Sequence, residues 1–292
     1  MVRKKVMTTM RKLPIGIQSF ENIRNENYLY VDKTALIYQL VTKGKPYFLS
    51  RPRRFGKSLL ISTLEAYFQG KKELFKGLAI DQLEQDWNVY PVLHLDLNAR
   101  KYESEADLVA ILNQYLEMWE ADYGDEMKLR APEERFFYVI RRAWEQTGRQ
   151  VVVLIDEYDK PLLQTIHNEP LQEAYRHIMK AFYGVLKSAD RYLRFVFLTG
   201  VTKFAQVSVF SDLNQLNDIS LDYDYATLCG ITHAELVDNL TPELEQLGQM
   251  QSLSREGTVE TMVRQYDGYH FHPSREGVFN PFSALSALRK RE

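Results

Sequence analysis

The sequence has little of what disulfide-rich, membrane-spanning or nucleic-acid-coating proteins require. Cys229 is the single cysteine, which excludes an intrachain disulfide framework and a four-cysteine zinc site. The formal net charge of −2 gives no overall attraction to nucleic acid or to an anionic membrane. No apolar run is long enough to span a bilayer, and no signal-peptide core follows the basic N-terminus. We therefore expect a globular, cytoplasmic protein with no membrane partner, in which Cys229 is a small buried hydrophobe.

The chain also lacks internal repeats, low-complexity tracts and long Gly/Ser linkers. Its 292 residues, 45% of them hydrophobic, suit one large domain or two ordinary ones. Near residue 222 the pattern changes from β-rich runs to helical segments. We predict a disordered tail over residues 1–12, a main domain over 13–221 and a smaller, mainly helical region over 222–292.

Two local signals lie in this C-terminal region. Thr232 and Glu235 form the Thr-x-x-Glu pattern of a helix capping box. The final stretch, from residue 268 onward, mixes turn residues with aromatics and shows no obvious closing element. His270 and His272 alternate there, but no third ligand at the right spacing completes a zinc set, so we predict no metal site at these histidines.

Short β-rich runs alternate with longer helical ones in the rest of the chain, which indicates βαβ units. Four nearly continuous apolar runs predict strands buried on both faces. They are PYFLS, PVLHLDL, VVVLI and RFVFLTG, at residues 46–50, 91–97, 151–155 and 194–200. The predicted fold class is α/β, with a mostly parallel central sheet flanked by helices.

The helical runs carry apolar residues at intervals of three and four, so that each presents one apolar face. The first stripe comprises Leu108, Ile111, Leu112, Tyr115, Leu116 and Trp119, and the second Leu171, Tyr175, Ile178, Met179, Phe182 and Leu186. We expect both helices to pack on the sheet. Upstream, YLYVDKTALIYQLV predicts an extended segment and then a helix that Asp32 caps.

The stretch RPRRFGKS follows the first predicted strand and resembles a phosphate-binding loop. Gly56, Lys57 and Ser58 match the end of G-x-x-x-x-G-K-[ST], but Arg51 stands where the first glycine belongs. In such a loop, backbone N–H groups cradle phosphates, the lysine reaches the β- and γ-phosphates, and the serine hydroxyl holds Mg²⁺. Alone the match is weak, because Gly-Lys-Ser after an apolar run often only caps a helix.

A second motif strengthens this interpretation. In VVVLIDEYDKPL, Asp156 and Glu157 come directly after a buried strand, at the end where α/β proteins bind ligands. In P-loop ATPases an aspartate there binds Mg²⁺ through water, and a following glutamate activates the attacking water. Two matches in the right order, each on a strand followed by a helix, predict nucleotide binding.

Polar residues after the strand RFVFLTG fit the same site. Thr199 stands where many P-loop ATPases keep a residue that senses the γ-phosphate, and its alternative is a hydroxyl that bonds its own turn. Lys203, shortly after it, is a weaker candidate. A cluster of arginines lies beside Lys57 and comprises Arg51, Arg53 and Arg54. Its candidate partners are nucleotide phosphate, a second protomer and nucleic acid, and the alternative is a solvated basic loop without a partner.

Together, RPRRFGKSLL and VVVLIDEYDKPLL resemble the AAA-ATPase-like family, a set of predicted P-loop proteins found mainly in bacteria. LPIGIQSFENIRNENYLYVDKTALI, LTGVTKFAQVSVFSDLNQLNDISLDYDYATLCGIT and YDGYHFHPSREGVFNPFSAL extend the resemblance to about residues 13–285. It implies a P-loop NTPase fold over 13–221, with the remainder as a lid-like region. It also implies that Arg51 is a family variant rather than damage to the loop.

The resemblance implies roles for individual residues. ATP would be bound by Arg53, Arg54, Phe55, Gly56, Lys57, Ser58 and Leu59. Ser58 and Asp156 would hold Mg²⁺, with Lys57, Glu157 and Thr199 as the catalytic set. The segment from Tyr30 to Thr34 resembles one that lies near the adenine in related ATPases. Such ATPases insert an extra strand between the P-loop strand and the acidic strand, and PVLHLDL fits that position.

Members of this family commonly continue into a domain that resembles PD-(D/E)XK nucleases. No Pro-Asp followed by Asp/Glu-x-Lys occurs after the predicted sheet, so we expect no nuclease activity from these residues. We expect the chain to be either a truncated member of the family or an ATPase module that works alone. The leading hypothesis is an ATP-hydrolysing module that couples nucleotide state to a protein partner, a second copy or an attached domain. The alternatives are a non-hydrolysing nucleotide-binding or interaction scaffold, and the ATPase part of a nucleic-acid-processing system, which the composition does not support.

Overall fold

The computed structural model describes residues 11–203 and 216–291. The first ten residues of the predicted tail lie outside this range, as does part of the stretch after Lys203. Lys12, at the predicted end of the tail, pairs with Tyr28 in a short parallel bridge, and its carbonyl accepts a hydrogen bond from Leu29 N–H at 2.9 Å. Ordered structure therefore includes Lys12.

A five-stranded parallel sheet forms the centre of the molecule. Its strands are β1 (Tyr47–Ser50), β2 (Val92–Asp96), β3 (Val151–Asp156), β4 (Leu193–Gly200) and β5 (Asn217–Asp218). They lie in the order β2-β3-β4-β1-β5, and all four pairings are parallel. The predicted α/β class and the four predicted strands are confirmed.

The position of β2 differs from the prediction. We expected PVLHLDL to lie between the P-loop strand and the acidic strand, but β4 occupies that place and β2 is at the edge. The residue types explain the difference, since β2 alternates buried leucines with half-buried His94 and Asp96, whereas β4 is apolar along most of its length and is buried at seven of its eight positions. The expectation that all four strands are buried on both faces is thus wrong for β2.

Helices cover both faces of the sheet. In chain order they are α1 (Phe20–Asn25), α2 (Thr34–Lys43), α3 (Lys57–Phe68), α4 (Lys72–Phe75), α5 (Ala79–Leu83), α6 (Glu105–Tyr123), α7 (Pro132–Thr147), α8 (Lys160–Gln164) and α9 (Glu169–Ser188). Leucine and aromatic residues of the two predicted stripes lie on α6 and α9, and they pack into one hydrophobic core with the sheet. Both stripe predictions are confirmed.

Alternation along the central strands divides the apolar residues between two cores. On β4, Val196 and Leu198 face the core formed with α6, α7 and α9, whereas Phe195 and Phe197 face the core formed with α2 and α3. This is the pattern that a parallel sheet covered by helices on both faces requires. It holds the carboxyl ends of the strands in a fixed arrangement.

The C-terminal region contains helices and a small antiparallel sheet. Its elements are β6 (Ile231–Thr232), α10 (His233–Gln251), α11 (Arg255–Tyr266), β7 (Asp267–Tyr269), β8 (Val278–Phe279) and α12 (Pro281–Lys290). The predicted capping box is present, because Thr232 Oγ1 accepts from Glu235 N–H and Glu235 accepts from Thr232 N–H. The chain also has a closing element that we missed, since Asn280 caps α12 by accepting from Ser283 N–H at 3.2 Å.

Candidate functional site

The loop between β1 and α3 presents a row of backbone donors. Arg54 has φ 70° and Gly56 has φ 90°, both in the left-handed region, and α3 begins at the next residue, Lys57. Among the described residues, no backbone N–H from Arg53 to Leu59 donates to a protein acceptor. Consecutive free amides at a helix N-terminus form an anion-binding nest. The loop therefore has the donors of a phosphate cradle despite its missing first glycine.

Lys57 is buried at the start of α3, with its side chain 3% exposed. Its Nζ donates to the carbonyls of Arg51 at 3.1 Å and Pro52 at 3.3 Å, and it lies 3.4 Å from Glu157 Oε1. The loop thus folds its own lysine back toward the acidic strand. The sequence placed these two residues about one hundred positions apart, and the sheet brings them together.

Arg51 does not face the loop's donors. Its guanidinium is buried and donates to the carbonyls of Ser50 at 2.9 Å, Ser220 at 2.7 Å and Tyr225 at 3.1 Å. It also stacks over the ring of Phe271 at 3.8 Å. Burial lowers the pKa of Arg51 to about 10. The interpretation of Arg51 as part of a solvated basic loop is therefore wrong, and the residue ties the loop to distant segments.

Asp156 and Thr199 meet at the carboxyl ends of β3 and β4. Thr199 Oγ1 donates to Asp156 Oδ1 at 2.5 Å, and Glu157 N–H donates to the same oxygen at 3.0 Å. Both side chains are buried. Thr199 therefore bonds a neighbouring carboxylate and not its own turn, and its role as a sensor of the γ-phosphate stays a prediction.

Glu157 follows β3 with a left-handed backbone, at φ 53°. This region is unfavourable for a residue with a Cβ and marks a position that the surroundings hold in place. Burial raises the pKa of Glu157, while the nearby Lys57 opposes that shift. Its carboxylate is thus held close to Lys57 with a raised proton affinity.

The turn after Glu157 is anchored to β4 by groups that sequence reasoning overlooked. Asp159 is fully buried, and its carboxylate accepts from the N–H groups of Val201 and Thr202 and from the Thr202 hydroxyl. Tyr158 N–H donates to Thr199 carbonyl at 2.9 Å. A third acidic residue, two positions after Glu157, was the sequence signal available for this anchor.

A cavity of about 350 Å³ opens beside these groups. Its lining includes Glu157 and six of the seven predicted nucleotide-binding residues. These six are Arg53, Arg54, Gly56, Lys57, Ser58 and Leu59. Phe55, the seventh, is instead buried against Tyr269 and Phe271. Asn98 and Lys160 also line the cavity, and neither was singled out from the sequence.

A smaller, mostly apolar cavity of about 100 Å³ adjoins the first. Gly56 and Leu59 line both, and Tyr30, Val31 and Lys33 line the smaller one. The segment from Tyr30 to Thr34 thus lies next to the loop. Asp32 accepts from Thr34 N–H at 2.8 Å and from Ala79 N–H at 2.8 Å. It supplies a bond at the start of α2, although the N-cap position itself belongs to Lys33.

Other candidates lie away from the cavity. Lys203 pairs with Asp218 at 2.8 Å. Among the described residues, no group of three or more His, Cys, Asp or Glu could hold a metal ion, and His270 is exposed beyond the end of β7.

Comparison with known proteins gives this site a family. The family model described as predicted AAA-ATPase matches residues 14–210, which include the loop between β1 and α3, the acidic pair and β4. The chain belongs to this family. Residues 231–291, with the small sheet and the last three helices, lie outside the matched range of this predicted AAA-ATPase.

One curated relative of this predicted AAA-ATPase comes from Azotobacter chroococcum mcd 1 and is described as an uncharacterized protein in the vnfD 5′ region. It is 39% identical over 284 residues, which are 97% of this chain and 52% of the relative. The chain thus spans about half the length of the curated relative it matches. No solved structure matches the chain significantly, and no helix of the described residues is long and apolar enough to cross a membrane.

Proposed function

We propose that the chain binds ATP with Mg²⁺ in the 350 Å³ cavity and hydrolyses it. One observation carries the proposal: the free amides of the loop, Lys57 and Glu157 border the same cavity at the carboxyl end of the sheet. Ligands of open α/β sheets bind at this edge. Membership in a family of predicted ATPases supports the same conclusion.

The triphosphate would lie along the loop. Backbone N–H groups from Arg53 to Leu59 would bind its oxygens, and Arg53 and Arg54, both exposed at the cavity rim, would add charge. Lys57 would exchange its contacts with loop carbonyls for the β- and γ-phosphates. The adenine would occupy the adjoining apolar cavity beside Tyr30 and Val31.

The residues at the site fit a magnesium ion by their chemistry. Ser58 contributes a hydroxyl oxygen and Asp156 a carboxylate, the hard oxygen ligands that Mg²⁺ prefers. In the described part of the chain, both hydrogen bonds to Asp156 end at Oδ1, which leaves Oδ2 for a cation or its water. The ion supplies charge neutralisation at the β- and γ-phosphates when bound. Thr199 keeps Asp156 oriented through its 2.5 Å bond.

Glu157 would position the attacking water. Its carboxylate is held by Lys57 in the structure, and transfer of Lys57 to phosphate would release it. A general base works best when its pKa is near the working pH, and burial moves the pKa of Glu157 in that direction. The water oxygen bonds the γ-phosphorus, the bridging oxygen leaves on ADP, and Glu157 takes the proton of the water.

Two substitutions test this assignment. Lys57→Ala removes a charged phosphate ligand, so we expect the Kd for Mg-ATP to rise at least about 10-fold. Glu157→Gln keeps the shape but not the base, so we expect ATP affinity within about threefold of wild type and kcat lowered about 10²–10⁴-fold. Isothermal titration and phosphate release measure the two effects.

Lys187→Ala is the matched control, because Lys187 is exposed on α9 far along the chain from the loop. Unchanged turnover in both Lys57→Ala and Glu157→Gln would contradict the proposal. ATP binding without phosphate release in wild type would favour the non-hydrolysing scaffold. A rate that rises with DNA, together with salt-sensitive DNA binding, would favour nucleic-acid processing.

We also propose that nucleotide state is passed to a protein partner or an attached domain through the C-terminal region. Arg54 lies over the ring of Phe282 at 4.9 Å, and Asn280 Nδ2 donates to Arg53 carbonyl at 3.2 Å. A phosphate that draws Arg54 toward it would therefore alter a contact with α12. Hydrogen exchange in α12, with and without ATP, would report this coupling.

A further inference from the structure

Lys160 and Asn98 form a pair at the cavity that no part of the proposed site uses. Asn98 lies in the short 3₁₀ segment after β2, and Lys160 begins α8. Lys160 Nζ donates to Asn98 Oδ1 at 2.9 Å. Both residues line the cavity together with Lys57, Ser58 and Glu157.

The backbone around this pair is fixed from both sides. Asp96 accepts from Asn98 N–H at 2.8 Å, and Tyr102 hydroxyl donates to Leu97 carbonyl at 2.7 Å. Lys160 directly follows the buried anchor Asp159, and its N–H donates to Glu157 carbonyl at 3.0 Å. The two loops thus hold Lys160 and its amide partner in a defined place beside Glu157.

The charge of Lys160 is not paired directly in this arrangement, although it acts from a longer distance on Asp96, whose pKa is raised by burial and lowered in part by Lys160. Within the described residues, no carboxylate lies within the 4.0 Å of an ion pair with Lys160, and its hydrogen-bond partner is a neutral amide. Lys57, in contrast, contacts Glu157 and two loop carbonyls. A half-buried cation that lines the proposed phosphate cavity and forms no direct ion pair with the described residues is suited to a ligand charge.

We propose that Lys160 contacts the γ-phosphate of bound ATP and neutralises the negative charge that develops on it during hydrolysis, with Asn98 as its positioning residue. This inference rests on the proposed ATP-hydrolysing function. In many P-loop enzymes this charge comes from an arginine finger, which a second subunit often supplies. Lys160 would supply it from the same chain.

The proposed hydrolysis requires no proton from Lys160. A bond forms between the water oxygen and the γ-phosphorus, and the bond from that phosphorus to the bridging oxygen breaks. The bonding electrons leave on ADP, and the proton of the water passes to Glu157 and then to phosphate. Lys160 keeps its three protons and acts through charge and hydrogen bonds, which strengthen as the phosphoryl oxygens gain negative charge.

The test compares Lys160→Gln and Lys160→Met with Lys187→Gln, each measured for Mg-ATP and Mg-ADP affinity and for kcat. We expect both Lys160 variants to bind ADP within about twofold of wild type, to bind ATP about 5–20-fold more weakly, and to lose about 10²–10³-fold in kcat. Lys160→Arg should recover part of kcat, because it keeps the charge. Lys187→Gln should match wild type throughout.

Asn98 has its own readout as a positioning residue. Asn98→Ala should lower kcat about 5–20-fold with little change in KM, since the ammonium loses its support and not its charge. Asn98→Asp should lower kcat further, because a carboxylate would pair with Lys160 and neutralise it. A purely structural role for Asn98 would instead lower the thermal midpoint of both variants and leave kcat of the folded fraction unchanged.

The outcomes separate this inference from the function on which it rests. If wild type binds no ATP, the proposed function fails. If wild type hydrolyses ATP and both Lys160 variants do so at the same rate, only the role of Lys160 is overturned. Equal losses of ADP and ATP affinity would also overturn it, since they would place Lys160 on the α- or β-phosphate. Because the ATP-to-ADP affinity ratio is measured by binding, it tests Lys160 even if turnover is slow.

Discussion

Arg51 shows how a residue can occupy a motif position and serve another purpose. A P-loop places glycine at this position, whereas this arginine is 1% exposed and serves three carbonyls, two of them on residues about 170 positions further along the chain. Its backbone N–H donates to Gly200 carbonyl at 3.1 Å, which continues the β1–β4 pairing. The free amides that we propose as phosphate donors begin only later, at Arg53.

Arg51→Ala should therefore destabilise the fold. Removal of the guanidinium leaves the carbonyls of Ser50, Ser220 and Tyr225 without this donor and opens a space beside Phe271. We expect a loss of about 3–5 kcal/mol in the free energy of unfolding. Urea unfolding measures it, with exposed Arg53→Ala as the control expected within about 0.5 kcal/mol of wild type. Equal stability of the two variants would refute the structural role.

The turn after β3 and the end of β4 act as one element. Asp159 and Tyr158 bridge from the turn to residues 199–202, and Glu157 and Lys160 project from the same turn. Gly200 makes the close approach feasible, because a Cβ there would lie 2.4 Å from the Tyr158 ring and 2.7 Å from Asp159 Oδ1. The geometry of the proposed catalytic groups thus depends on the absence of a side chain at position 200.

Gly200→Ala should disturb this element. We expect a loss of about 1–3 kcal/mol from overpacking and a lower kcat, because any shift of Tyr158 moves the neighbouring Glu157. Gly184→Ala on α9 is the matched control: its Cβ would meet nothing within 4 Å, and alanine in a helix should stabilise by about 0.5–1 kcal/mol. Thermal unfolding and phosphate release together check the pair. If the two variants behaved alike, close approach at Gly200 would not be the reason for its glycine.

At the scale of the whole molecule, the C-terminal region is joined to the start of the chain. The third hydrophobic core combines Leu29 with Leu236, Leu240 and Leu285. Lys33 Nζ lies 2.6 Å from Glu235 Oε2, at the start of α10. The division at residue 221 stays a prediction, and these contacts indicate that the two parts stabilise each other.

A fragment that ends at residue 221 should accordingly be unstable. It would lose Tyr225 carbonyl and Phe271, which contact Arg51, and would expose Leu29 and Ile37 beside the apolar cavity. We expect a non-cooperative thermal transition or a midpoint lowered by at least about 4–8 °C, which is the shift that a loss of about 2 kcal/mol gives in a domain of this size. We also expect the fragment to bind a hydrophobic dye. A cooperative transition at the full-length midpoint would show instead that residues 11–221 fold independently.

Local pattern explains why much of this was predictable. The strands, the two apolar stripes and the capping box depend on residues close in sequence, and each was found from its own period or spacing. The position of β2 in the sheet could not be predicted in this way, because PVLHLDL and RFVFLTG are both apolar runs and differ mainly in which neighbours bury them. The closing helix α12 was missed because its Asn280 cap follows a turn-rich stretch whose β8 strand has only two residues.

By itself, the sequence determined the α/β class, the family, and the residue types of the site: Gly-Lys-Ser after one strand and Asp-Glu after another. Only the tertiary structure decided which of these side chains meet. It turned Arg51 into the interior, set Lys57 3.4 Å from Glu157 and brought Lys160 to the same cavity. The physical reason is that strand order and close packing fix distances between residues one hundred or more positions apart, and no local pattern encodes those distances.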